Sequence, residues 1–126
     1  MNFPTDLKYT KEHLWVRQNK EEIEAGITEF AQSQLGDIVY VEVETEGKTI
    51  AQNQFFGTIE ATKTVSDLFM PISGEVIAFN KALETNPEWV NTNPFDKAWI
   101  IKIKASNLIE LDNLLSADEY KALVGE

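Results

Sequence analysis

The sequence predicts a mainly β fold: two antiparallel sheets facing each other as a flattened barrel-sandwich, with one short helix near 28–35 and another near 116–124. Three observations predict it. Short runs alternate apolar with polar side chains and are separated by turn residues. Two stretches of the chain match each other: Gly36-Asp37-Ile38-Val39-Tyr40-Val41-Glu42 aligns with Gly74-Glu75-Val76-Ile77-Ala78-Phe79-Asn80 at an offset of 38, and Ile50-Ala51-Gln52-Asn53-Gln54-Phe55 with Val90-Asn91-Thr92-Asn93-Pro94-Phe95 at an offset of 40. Units of roughly forty residues are too small to bury a core alone. The two, about 36–62 and 74–104, are therefore expected to pack against each other with approximate twofold symmetry.

Each element follows from local signals. Leu14–Arg17 and Glu22–Ile27 read as a hairpin across Gln18-Asn19-Lys20, with Ile23, Ala25 and Ile27 on one face. Thr28 is an N-cap for a helix with Phe30, Ala31 and Leu35 at helical spacing and Gly36 as its stop. Asp37–Val43 alternates, placing Val39, Val41 and Val43 on one side, and Glu46-Gly47-Lys48 turns the chain. Phe55–Thr62 and Val65–Pro71 form a second hairpin. Alternation puts Phe55, Ile59 and Ala61 on one face and Thr58, Glu60 and Thr62 on the other. Trp99, Ile101 and Ile103 mark a last strand, and Ser116 with Glu119 forms a capping box for the terminal helix. Trp15, Phe55, Phe69, Phe79 and Trp99 read as core or edge fillers. Gly36 and Gly74 read as tight-turn glycines.

A chain of 126 residues, 43% hydrophobic and 25% charged, suits one domain over 1–126 with a core of its own. A formal charge of −10 argues against nucleic acid, which needs clustered cations, and favours either basic docking surfaces or simple solubility. Without cysteine there is no disulfide, thiolate metal site or thiol nucleophile, and the one histidine, His13, cannot build a zinc site. No catalytic constellation is visible. No run reaches membrane-span length and the start lacks a signal pattern, so the chain reads as cytoplasmic unless a mitochondrial transit peptide was removed.

Lys63 stands between the two strands of the second hairpin. A lysine at such a tip is held in water and open to covalent modification, although turn lysines are commonly only solvated. Its flanks decide more. Gly57-Thr58-Ile59-Glu60-Ala61-Thr62-Lys63-Thr64-Val65-Ser66-Asp67-Leu68-Phe69-Met70-Pro71-Ile72-Ser73-Gly74-Glu75-Val76 resembles the lipoyl-attachment segment of the glycine cleavage system H proteins. The likeness runs nearly end to end. It takes in Tyr9-Thr10-Lys11-Glu12-His13-Leu14-Trp15-Val16, then Gly26-Ile27-Thr28 with Leu35-Gly36-Asp37, Trp99-Ile100-Ile101-Lys102-Ile103 and Leu115-Ser116-Ala117-Asp118-Glu119-Tyr120.

The resemblance implies a lipoyl-type barrel-sandwich hybrid and a carrier, not a catalyst, with lipoic acid in amide linkage to Lys63. It implies partners in sequence: a glycine decarboxylase (P protein) that loads an aminomethyl group, a tetrahydrofolate-dependent aminomethyltransferase (T protein) that removes it, and a dihydrolipoamide dehydrogenase (L protein) that reoxidises the arm. A lipoate ligase or lipoyl transferase would attach the cofactor. Glu60, exposed beside the lysine, is a recognition feature for that enzyme or an ordinary solvated glutamate. Asp67, expected to face Ile59 or Glu60 across the hairpin, orients it, meets the loaded arm, or is only solvated. An aminomethyl load loses formaldehyde and ammonia in water, so a partly dry groove with Glu12, His13 and Asp67 around it would protect it; His13 could equally just pack beside Trp15.

The chain departs from the family at Phe30, often histidine, and at Ala98, often glycine, which bears on partner contacts more than on lipoylation. A biotin carrier is disfavoured because Thr62 and Thr64, not methionines, flank Lys63. Relay of lipoate to 2-oxoacid dehydrogenases and an unmodified interaction module stay open.

Overall fold

A computed structural model describes all residues, Met1–Glu126. Its strands are β1 (Lys8–Tyr9), β2 (Leu14–Asn19), β3 (Glu22–Ile27), β4 (Ile38–Glu42), β5 (Thr49–Ile50), β6 (Phe55–Ala61), β7 (Val65–Phe69), β8 (Gly74–Phe79) and β9 (Ile101–Ala105). Helix α1 (Glu29–Leu35) follows β3, α2 (Ala82–Thr85) and α3 (Trp89–Thr92) lie between β8 and β9, and α4 (Ala117–Leu123) closes the chain after a 3₁₀ turn, Leu108–Asn113. The expected mainly β, two-sheet architecture holds. One sheet has the order β1-β2-β3-β9-β8-β5 and the other β4-β6-β7, every pairing being antiparallel. The sheets are unequal, six strands against three.

One core joins them. Ile23, Ala25, Val76, Ile101 and Ile103 from the larger sheet share a continuous cluster with Val41, Phe56, Ile59 and Leu68 from the smaller. A satellite cluster of Leu7, Tyr9, Trp15, Ala117 and Tyr120 docks α4 against β1 and β2. Helix α1 starts at Thr28, whose hydroxyl accepts from the Ala31 amide, and stops at Gly36 with φ of 87°, a left-handed value that glycine adopts without a Cβ penalty.

Register shifts occur in β4, β6 and β8, and the first two correct the simple alternation. A register shift between Ile38 and Tyr40 puts an extra residue in β4, so Ile38 and Val41 are buried while Val39 turns to solvent, 48% exposed. A second shift, between Phe55 and Gly57, does the same to β6: Phe56 is fully buried and Phe55 faces water. Gly74 is also not a turn residue. It lies inside β8, opposite Ala105, where a Cβ would collide with the Lys104 carbonyl and the Ile103 side chain. The first hairpin turns one residue later than expected, Asn19 pairing with Glu22.

Candidate functional site: the Lys63 hairpin and its groove

The β6–β7 hairpin is tight. Glu60 pairs with Val65, and the Ala61 amide donates to the Thr64 carbonyl at 2.8 Å, so the chain reverses over Thr62 and Lys63. The Thr62 amide and hydroxyl both donate to the Asp37 carbonyl, at 3.1 and 3.3 Å. These bonds tie the tip to the segment that follows α1. Asn91 braces that segment from behind: its Oδ1 accepts from the Ile38 amide, and its Nδ2 donates to Gly36 O and Gln32 Oε1, each at 2.9 Å. Lys63 itself is exposed, and its amine takes part in neither a hydrogen bond nor an ion pair. Backbone bonds hold the turn on both sides of Lys63 and leave its side chain free.

Register places the neighbouring carboxylates. Tyr40, Glu60 and Val65 lie in one cross-strand row, and Glu42, Thr58 and Asp67 lie two rows further on, past Val41, Ile59 and Ser66. Glu60 is exposed one pair below the tip, as its strand parity predicts. Asp67 is opposite Thr58, not Ile59 or Glu60. The reason is the turn: with only Thr62 and Lys63 in the loop and Ala61 facing Thr64, the partner of Asp67 falls at Thr58, one residue earlier in β6 than Ile59.

A groove of about 280 Å³ opens between this hairpin and α1. Phe30, Ala31, Gln34 and Leu35 form the helical wall; Ile59, Ser66, Asp67 and Leu68 form the sheet wall; Glu12 and His13 close one end with Ile27. Glu12, His13 and Asp67, distant in sequence, thus border one cleft. Neither Lys63 nor Glu60 lines it. Asp67 is four positions along the chain from Lys63, a span of at most roughly 13 Å at the rise of an extended strand. The five bonds of a bare lysine side chain span only about 6 Å, so an acyl group on the amine would extend its reach along the hairpin.

His13 is held firmly. It has φ of 69°, a left-handed conformation that costs a non-glycine residue about 1 kcal/mol. The surrounding corner compensates: the His13 amide donates to Thr10 O, Thr10 and Leu14 bond through their backbones, and the Thr28 amide donates to His13 O. The Thr10 hydroxyl accepts from the Glu12 and Leu14 amides, both at 3.2 Å. The imidazole leans on Phe30, 5.1 Å between centroids, and Nδ1 lies 2.8 Å from the Tyr120 hydroxyl. Burial lowers the imidazole pKa below its ordinary value, opposed by the nearby Glu12 carboxylate. So His13 does not pack beside Trp15; its ring partners are Phe30 and Tyr120, which sequence reading did not connect to it. Thr28 and Tyr120 were visible only as a cap and as part of a terminal block.

Comparison with known proteins shows the family. Residues 7–126 match the family model described as glycine cleavage H-protein. The chain belongs to the glycine cleavage H-protein family. It is 54% identical over 124 residues to the glycine cleavage system H protein of Bacteroides fragilis, covering 98% of each chain. It is 52% identical over 126 residues to that of Geobacillus kaustophilus, covering 100% of this chain and 99% of the relative. In three dimensions it resembles the crystal structure of a glycine cleavage system H protein from Mycobacterium marinum, with a TM-score of 0.90 at 32% identity over 98% of this chain and 99% of the other. Family membership and the two-sheet fold therefore rest on sequence and on shape alike. No helix is long and apolar enough to cross a membrane.

Proposed function

We propose that this chain is the lipoyl carrier of a glycine cleavage system, that lipoic acid is attached to Nζ of Lys63, and that Glu12, His13 and Asp67 shelter the aminomethyl load. The observation that carries the reading is the free Lys63 amine at an anchored hairpin tip, on the same hairpin whose Ile59, Ser66, Asp67 and Leu68 line a groove with Glu12 and His13. The residues suit the cofactor. The small side chains of Thr62 and Thr64 leave the amine accessible, and Ile27, Phe30, Leu35, Ile59 and Leu68 offer an apolar lining. Once attached, the dithiolane supplies a disulfide that takes up electrons and a one-carbon unit.

The protein's own work is attachment, presentation and shelter. For acylation Nζ must lose a proton and attack an activated lipoyl carbonyl; a C–N bond forms and the activating group leaves. The exposed, unpartnered Lys63 side chain gives a lipoate ligase or lipoyl transferase room to do this, and exposed Glu60 offers a carboxylate for it to recognise. In the groove, Glu12 and Asp67 would balance the ammonium of the load, and the apolar walls would reduce the water that hydrolyses it. Successive visits to the glycine decarboxylase, the tetrahydrofolate-dependent aminomethyltransferase and the dihydrolipoamide dehydrogenase require the whole protein to diffuse between partners, which suits a small acidic carrier in the cytoplasm.

The test is glycine decarboxylation with the purified partners, using lipoylated wild type, Glu12→Ala, His13→Ala and Asp67→Ala. The loaded variants should release formaldehyde faster than wild type while still accepting the load. Unchanged release in all three would remove the sheltering role. A wild-type protein that accepts lipoate but never supports decarboxylation would instead favour lipoate relay.

A further inference from the structure

We propose that the Tyr120 hydroxyl, itself held by Thr28, fixes His13 as the neutral tautomer protonated on Nε2, so that the imidazole presents one hydrogen-bond donor to the groove. Three heavy atoms form a chain: Thr28 Oγ1 lies 2.7 Å from Tyr120 Oη, which lies 2.8 Å from His13 Nδ1. Neither distance states which atom donates, but the surroundings do. Thr28 is 1% exposed, and its oxygen already accepts from the Ala31 amide as the α1 cap. Tyr120 is the only other partner of that oxygen.

Suppose Tyr120 donated to Thr28. The Thr28 hydroxyl hydrogen would then have no acceptor and no access to water, and an unpaired buried donor is costly. Thr28 must donate to Tyr120. The Tyr120 hydrogen then goes to Nδ1, which has to be an unprotonated acceptor, so the ring proton of neutral His13 sits on Nε2. That nitrogen has no partner within the protein, and the ring lines the groove. The phenol cannot swing away to relax the constraint: its ring is fully buried, stacked on Tyr9 at 4.8 Å and 7°, with Phe3 edge-on at 5.9 Å.

The charged or titratable groups beside the imidazole are Glu12, from its own corner, and Tyr120, from α4; Asp67 lines the same groove. Protonating His13 would require Nδ1 to donate to Tyr120, reversing the chain and stranding the Thr28 hydrogen. Burial disfavours the cation in the same direction. Helix α4 is thereby coupled to the groove although none of its residues lines it. Tyr120 and Thr28 are positioning residues, acting through His13. The tautomer follows from the hydrogen bonds alone; its use in holding the load rests on the carrier reading above.

The protein has a single histidine, so ¹⁵N-histidine labelling gives one imidazole and an unambiguous spectrum. In the unlipoylated wild type, two-bond ¹⁵N–¹H correlations at neutral pH should show one tautomer, protonated on Nε2. Tyr120→Phe keeps the stacked ring and should give a mixture of tautomers; Thr28→Val should do the same, while Thr28→Ser should restore the wild-type pattern. A protonated Nδ1 in the wild type, or a wild-type pattern in folded Tyr120→Phe and Thr28→Val, overturns the proposal. In the lipoylated, loaded protein, Tyr120→Phe should release formaldehyde up to about tenfold faster, the scale of one lost hydrogen bond. A changed tautomer with unchanged release would leave the hydrogen-bond assignment standing and remove the groove's sheltering role instead.

Discussion

Lys63 and His13 are held by opposite means. The lysine is exposed because the bonds at its turn stop at Thr62 and at the Ala61–Thr64 pair. The imidazole is fixed because it carries a partner on Nδ1 and an aromatic neighbour at Phe30. The second arrangement has a pH signature. Burial lowers the folded pKa of His13 below the unfolded value of about 6.5, so the folded state binds its proton less readily. The associated stability is fully present above the unfolded pKa and is lost as pH falls towards the lowered folded one. Thermal melting of wild type and His13→Gln between about pH 8 and pH 5 should show the wild type losing more stability on acidification. Parallel pH profiles would contradict the shift.

The exposure of Lys63 and Glu60 was legible in the sequence because it depends only on a turn and on strand parity. The exact facing of Asp67 was not, since it depends on how many residues the loop contains. Nor was the bond between His13 and Tyr120, which are 107 residues apart and joined only by the docking of α4.

Elements with strong local signals formed where the sequence placed them. Helix α1 begins after Thr28 and ends at Gly36, and α4 begins after Ser116. In the capping box, Ser116 Oγ accepts from the Glu119 amide at 3.1 Å and Glu119 Oε1 accepts from the Ser116 amide at 2.9 Å. That backbone bond, with the Ser116 side chain, holds the Glu119 carboxyl below its usual range. Ser116→Ala should cost about 1 kcal/mol and lower the melting temperature by roughly 3–6 °C, while Ser116→Asp should retain most of the stability. Equal melting of Ser116→Ala and wild type would show that α4 is held by its satellite core alone. Alternation misled where a strand carries an extra residue, at Val39 and at Phe56, because a bulge reverses the parity of everything before it. It also misled at Trp99 and Ile100, which precede β9, Ile100 being buried like Ile101. The short helices α2 and α3 lacked a side-chain cap to announce them.

At the scale of the whole molecule, two sheets share one core, and the smaller sheet carries the hairpin whose tip bears Lys63. The edge of that sheet and α1 together make the groove, so the exposed lysine and the groove arise from one packing arrangement. Its acidity and family membership were readable from composition and from ordered sequence blocks; the groove was not, because its walls come from four separate segments that meet only after folding. The most direct measurement is incubation of the purified chain with lipoate, ATP and a lipoate ligase, followed by intact mass and peptide mapping. The account predicts a single lipoyl addition, on Lys63, and none in Lys63→Arg. Lipoylation of folded Lys63→Arg, or of another lysine in the wild type, would contradict it.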